Sequence, residues 1–140
     1  MPHHVHKLTA FRVRVEHRPG TLQKVTQDLC TGGANLRALW AWAEEEGQGV
    51  VMFVPEDPGT VTGCSCATCC AAQAVPVLWV EGEDVRGGLD EQLKPIAAQH
   101  LNIQAVQVMA LEGKFAAVFT FADEAALDAA ACALGGCCCS

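Results

Sequence analysis

The chain has little positive charge: nine lysines and arginines stand against sixteen acids, for a formal charge of -7. The bases are scattered and form no continuous stripe, which argues against a nucleic-acid partner. No window reaches the roughly 18 apolar residues that a membrane helix needs. The opening "MPHHVHK" has no apolar core of a secretory signal, so the expected location is the cytosol, with no membrane partner. Serine, histidine and aspartate show no nucleophile arrangement, and neither a phosphate loop nor a paired-carboxylate motif stands out. The "EEE" at 44–46 reads as a solvated hairpin turn. The expectation is therefore a protein without enzymatic activity.

Cysteine and apolar residues, by contrast, are plentiful. Apolar residues make up 51% of the 140 positions, enough for one ordinary core or two small ones. Nine cysteines, an odd number with several adjacent, fit a disulfide framework poorly in a reducing compartment and read better as free thiols or metal ligands. A slide of 67 positions aligns the two halves without a gap. Glu16 then meets Glu83, Gly20 meets Gly87, Leu22 meets Leu89, Asn35 meets Asn102 and Cys70 meets Cys137. The apolar pattern stays in register, as expected of one unit used twice over 1–73 and 74–140.

In the first half Phe11, Val13 and Val15 alternate with Arg12, Arg14 and Glu16, the period of a strand with one dry face. Pro19 and Gly20 set a turn, and Thr21 is placed to cap a helix carrying Leu22, Val25 and Leu29. Glycines at 32 and 33 end that helix. Leu36, Ala38, Trp40 and Trp42 then share one face of a strand, "VVMFV" at 50–54 forms a buried strand, and "EDPGTV" opens a helix running to about Ala72. The order repeats as 77–84, 88–101, 102–111, 115–121 and 123–134, with Pro95 predicting a kink or a late start in its helix. The fold class is α+β: two ferredoxin-like units in tandem, each βαββαβ, with an antiparallel sheet and helices on one face. Each unit lacks a fourth strand of its own. Residues 73–77 are placed to supply it to the first unit and residues 4–10 to the second, an exchange of edge strands.

A strand, "HRPGTL", a helix, "GGANL", two strands and a further helix resemble the ACT domain, a small-molecule regulatory module attached to many enzymes of amino-acid metabolism. The resemblance is fuller over 11–72 than over 78–135. It implies that an amino acid binds where the first turn faces a neighbouring unit. Carried across by position, that turn is His17, Arg18, Pro19, Gly20, Thr21 and Leu22, with Asn35 and Leu36. The second set is Asp84, Val85, Arg86, Gly87, Gly88 and Leu89, with Asn102 and Ile103. Glycine lets amide N–H groups approach a carboxylate, and a helix start favours an anion. Asp84 is a candidate for a ligand's ammonium group. His17 stands where the family often has aspartate or asparagine, and the second turn lacks proline. The glycines also serve a tight turn with no ligand, and the asparagines suit a helix-to-strand turn. Trp40 and Trp42 suit sheet packing or a dimer contact. An exposed sheet edge and the apolar second strand suit a homodimer, because side-by-side pairing hides unpaired backbone groups, and the resemblance implies that a bound ligand acts on an enzyme partner or a second copy.

A second reading gives the same scaffold a soft metal, copper or zinc, or thiol redox chemistry. Its candidates are Cys64, Cys66, Cys69 and Cys70, together with Cys137, Cys138 and Cys139. If 64–70 is helical, Cys66, Cys69 and Cys70 share a face. His3, His4 and His6 are placed to approach the terminal cysteines. Cys30, Cys66 and Cys132 also suit small core positions.

Overall fold

The computed structural model describes residues 4–135. Thirteen residues, His4–Glu16, form strand β1, followed by helix α1 (Thr21–Thr31), β2 (Leu36–Ala43) and β3 (Gln48–Pro55). Two short helices come next, α2 (Gly59–Thr62) and α3 (Ala67–Ala71). The chain continues through β4 (Gln73–Glu83), α4 (Gly88–Ala98), β5 (Ala105–Leu111), β6 (Lys114–Thr120) and α5 (Glu124–Ala133). Among the described residues no helix is long and apolar enough to cross a membrane. The architecture is a mixed α/β fold of six strands whose ladders β1·β3, β2·β3, β4·β6 and β5·β6 are all antiparallel.

Two compact units divide the chain, one of them Thr9–Val75 and the other drawing on residues 4–8 and 76–135. Strands β1 and β4 each contribute to both. Within Thr9–Val75 the hydrogen-bonded order is β2-β3-β1-β4. The register sets Phe11 opposite Phe53 and Val13 opposite Val51, so these four side chains share a face. The two phenylalanine rings stack with centroids 5.7 Å apart. Val25 and Leu29, one helical turn apart on α1, close over that face, joined by Val61 of α2 and Cys69 of α3. Each buried aliphatic side chain of this kind contributes about 1.5–3 kcal/mol of transfer free energy. In the other unit the order is β1-β4-β6-β5, and Ile96 of α4 and Leu127, Ala130 and Ala131 of α5 cover Leu78, Val80, Ala117 and Phe119. Among residues 4–8 of β1, Val5 packs on the cluster around Leu78, and the Lys7 ammonium lies 2.5 Å from Asp128 in an exposed pair. The hydrogen bond to Asp128 first, with the charges of Asp128 and Glu124, holds the Lys7 pKa above the ordinary lysine value against a smaller opposing effect of burial.

Several local expectations change. Thr21 is the first residue of α1, and the cap is Gly20, which makes no side-chain hydrogen bond. Leu22 points away from the core and is exposed. Between Leu36 and Ala38 the β2–β3 register shifts, a β-bulge. One extra residue reverses the alternation beyond it. Leu39, paired with Phe53, therefore packs on the core cluster in place of Ala38, Trp40 and Trp42. The helix expected to run to Ala72 is broken at 63–66. Thr60 and Thr62 return their hydroxyls to the carbonyls of Asp57 and Pro58, and Gly63 and Ser65 add weak helix formers, so propagation stops. Helix α4 starts at Gly88 and carries Pro95 inside it, so no late start occurs. Residues 102–104 precede β5 rather than belonging to it.

Candidate functional site

Strand β1 ends at Glu16, and its continuation is pinned by the His17 amide, which donates to the Gly47 carbonyl in the β2–β3 hairpin at 2.8 Å. The chain then reverses. The Arg18 amide donates to Glu16 O at 3.1 Å and the Thr21 amide to Arg18 O at 3.3 Å. Gly20 completes the reversal at φ 88°, in the left-handed region, with open space where a Cβ would stand. Glycine is thus required there by backbone conformation and not by crowding. The first helical bond runs from Lys24 N to Gly20 O at 3.0 Å, so the amides of Leu22 and Gln23 precede the helical ladder.

This turn forms one wall of a cleft of about 300 Å³ within Thr9–Val75. His17, Arg18, Gly20, Thr21 and Leu22 line that wall, with Glu16 beside them. The other surfaces come from Val15, from Ala41, Trp42 and Ala43 at the end of β2, and from Gly49, Val50 and Val51 of β3. Trp42 is 41% exposed and Leu22 44%, which leaves two large apolar surfaces open to whatever enters. Arg18 Nε lies 3.2 Å from Glu16 Oε2. Both groups are well exposed, so this pair is weak and can be exchanged for a ligand's charges. At the hairpin end of β2 the Arg14 guanidinium bonds Glu44 at 2.6 Å and holds its carboxyl below the ordinary glutamate range.

Five of the eight positions expected around the first turn line the cleft. Pro19 is exposed and does not line it. The Asn35 carbonyl accepts the Glu56 amide at 2.8 Å, a turn-closing role at the other end of α1, and Leu36 packs on the Phe11 cluster. Glu16 and Trp42 were not anticipated as cleft residues. Trp42 becomes one through its register opposite Val50, which follows from strand pairing and not from any local motif. At the second turn the backbone geometry is parallel: Asp84 N donates to Gly113 O at 2.9 Å, Gly88 N to Val85 O at 3.0 Å and Glu91 N to Gly87 O at 3.0 Å. Gly87 has φ 79°. Asp84, Val85, Arg86 and Leu89 are exposed, Gly88 is buried, Asn102 is exposed and Ile103 packs on the Leu78 cluster. Asp84 does not line the cleft beside Gly20, where the carboxylate present is that of Glu16.

The cysteines assemble differently from the helical expectation. Because the helix breaks, Cys66 is extended (φ -68°, ψ 161°) and caps α3. The group that converges is Cys64, Cys66 and Cys69, whose sulfurs all lie within 4.8 Å of one another. Cys64 and Cys66 sulfurs are 3.2 Å apart. The Cys66 amide donates to the Cys64 sulfur at 3.5 Å and the Cys69 amide to the Cys66 sulfur at 3.3 Å. Hydrogen bonds from Cys69, then from the Cys66 amide and thiol, hold the Cys64 pKa below the usual thiol value. Burial, reinforced by the same neighbours, pushes the Cys69 thiol far up. Cys70 is left outside the group: it is exposed and its thiol reaches the Ser65 carbonyl at 3.6 Å. Cys30 is an exposed free thiol at the end of α1 and not a core residue. Cys132 is exposed and not core filler. Cys66 is half-buried and packs on the Phe11 cluster. His4 and His6 stack on β1 with centroids 6.3 Å apart, while His3 and Cys137, Cys138 and Cys139 lie outside the described residues.

Beside this group the Asp28 carboxylate ties α1 to α3. It accepts from Thr68 Oγ1 at 2.7 Å and from Lys24 Nζ at 2.9 Å, and its side chain is 12% exposed. The Thr68 hydroxyl, then Lys24, holds the Asp28 pKa below the ordinary aspartate value.

No known protein family matches the chain by sequence, and no curated protein does. Solved structures do match. Protein BT0572 from Bacteroides thetaiotaomicron superposes with a TM-score of 0.75 at 19% identity, over 91% of this chain and 88% of its own. The regulatory subunit of aspartate kinase from Thermus flavus gives a TM-score of 0.60 at 14% identity, covering 96% of this chain and 95% of that one. Its Thermus thermophilus counterpart in ligand-free form gives 0.56 at 15%, covering 94% and 95%. The fold is ACT-like. At these identities the likeness is one of backbone architecture.

Proposed function

We propose that the chain is a non-catalytic regulatory module built from two copies of one ACT unit with exchanged edge strands, and that it binds a free amino acid at the β1–α1 turn of Thr9–Val75. The observation that carries this reading is the cleft of about 300 Å³ whose wall is that turn. Its chemistry suits a zwitterion. The Arg18 guanidinium and the amides at the start of α1 suit the carboxylate. Glu16 suits the ammonium group in this cleft, as Asp84 does at the second turn. Leu22, Val15 and Trp42 suit an apolar side chain. The regulatory subunits of aspartate kinase that share the fold support a regulatory role over a catalytic one. The change on binding passes to a second copy of the chain or to an enzyme partner, in the cytosol. Asp84, Val85, Arg86, Gly87, Gly88 and Leu89 form the corresponding turn of the second unit, with Asn102 and Ile103 in supporting positions.

Calorimetric titration with a panel of free amino acids tests the proposal, with tryptophan fluorescence read in parallel because Trp42 lines the cleft. One ligand is expected to release heat and change the emission, and Arg18→Ala and Glu16→Ala are each expected to weaken it about tenfold or more. Silence across the whole panel in both channels defeats the reading. A native mass spectrum reports the copy number that regulation requires.

A further inference from the structure

We propose that Cys64, Cys66 and Cys69 form a site for one Cu(I) ion. The inference stands apart from the amino-acid reading, since it uses none of the cleft residues. Three sulfurs bound to one ion at about 2.3 Å each stand about 4 Å apart in a trigonal plane. The three thiols already lie within 4.8 Å of one another, the closest pair 3.2 Å apart. Side-chain rotations of under about 1 Å at the sulfur therefore suffice, with no backbone rearrangement.

The surroundings of Cys64 and Cys66 fit thiolate ligands, and the metal itself supplies the positive charge that buried Cys69 needs to release its proton. Two main-chain N–H groups, of Cys66 and Cys69, are directed at the sulfurs of Cys64 and Cys66. Such bonds offset the charge that accumulates on metal-bound sulfur. Cys69 is buried at the inner side of the group while Cys64 and Cys66 are half-buried, which leaves an entry path from solvent. Gly32 makes room for the assembly, because the Cys64 sulfur occupies the volume a side chain there would need.

Softness and ligand number select the ion. Structural Zn(II) sites close with four ligands, and among the described residues no fourth histidine, cysteine, aspartate or glutamate joins the three. An all-sulfur set favours a soft ion, and a three-coordinate set suits Cu(I). Binding replaces S–H bonds by Cu–S bonds and releases the thiol protons to solvent, with no change of oxidation state at copper or sulfur.

The test uses the reduced 140-residue chain carrying Cys132→Ser, Cys137→Ser, Cys138→Ser and Cys139→Ser, which removes four of the six thiols outside the group and leaves Cys30 and Cys70. Cu(I) is offered anaerobically as its bicinchoninate complex. One equivalent is expected to transfer, and X-ray absorption is expected to report three sulfur neighbours. Adding Cys66→Ser should weaken the transfer more than about 100-fold, beyond what loss of an orienting neighbour costs, while adding Cys70→Ser should leave it unchanged. Circular dichroism checks that each variant is folded. If Cys66→Ser is not, Cys64→Ser and the sulfur count of the parent protein decide. The proposal is overturned by no transfer, by full transfer to the folded Cys66→Ser and Cys64→Ser variants, by fewer than three sulfur neighbours, or by Zn(II) displacing Cu(I) from the group.

Discussion

The sulfur of Cys64 sits 2.8 Å from the point where a Cβ on residue 32 would lie. The glycine after α1 and the first cysteine of the broken helix thus fill one space between them. Gly32 itself has an ordinary helical conformation (φ -76°), so what an added side chain meets there is contact and not backbone strain. Gly32→Ala is expected to turn the Cys64 thiol out of the cysteine group while lowering stability by only about 1 kcal/mol, since the short side chain can rotate. Denaturant unfolding measures the second effect, and Cu(I) competition in the serine-substituted background measures the first. A variant with undiminished Cu(I) uptake contradicts the steric account.

Phe53 is fully buried and stacks on Phe11 in the centre of the Thr9–Val75 core. Phe53→Ala should cost about 3–5 kcal/mol in urea unfolding. A loss below about 1 kcal/mol would mean that this core is not packed as described.

Gly20 and Gly87 hold matching left-handed conformations, and a Cβ at either meets nothing within 4 Å. Gly20→Ala and Gly87→Ala should therefore each cost about 1–2 kcal/mol through backbone conformation alone. Only Gly20→Ala should also weaken amino-acid binding at the cleft. Equal effects of both variants on that binding would place the ligand elsewhere.

Acid should weaken the α1–α3 connection. The folded-state pKa of Asp28 lies below its unfolded value, chiefly through the Thr68 hydroxyl and then Lys24. The carboxylate's contribution is therefore complete above the unfolded pKa and is lost as pH falls through the folded one. Stability followed from neutral pH into the acid range should decline less steeply in Asp28→Asn and in Thr68→Val than in the parent. Superimposable acid limbs for all three proteins would remove Asp28 from the account.

The parts of the fold set by local rules were readable from the chain. Val25 and Leu29 mark the buried stripe of α1 by their spacing, and the β3 segment announces itself as a run of valines with Met52 and Phe53. The turn at His17–Leu22 was readable because proline fixes its own φ and glycine reaches the left-handed region that Gly20 occupies. What escaped depends on events a periodic pattern does not record. The bulge between Leu36 and Ala38 reverses the faces of the tryptophan strand, and nothing in its alternating residues marks where an extra one is inserted. The interruption after Thr62 changes which thiols meet, replacing Cys70 by Cys64. It arises from side-chain bonds of Thr60 and Thr62 and from the sulfur cap at Cys66, a role more often taken by serine. Glu16 and Trp42 enter the cleft only once strand register is known.

Residues 4–8 belong to a compact unit whose remaining residues begin at position 76. The contacts of that unit therefore span most of the chain, and residues 4–8 gain their partners only once β4 and the elements after it have been synthesised. Exposed His4, His6 and Lys7 keep one side of the segment wetted, while Val5 is the residue that the later elements cover in the Leu78 cluster.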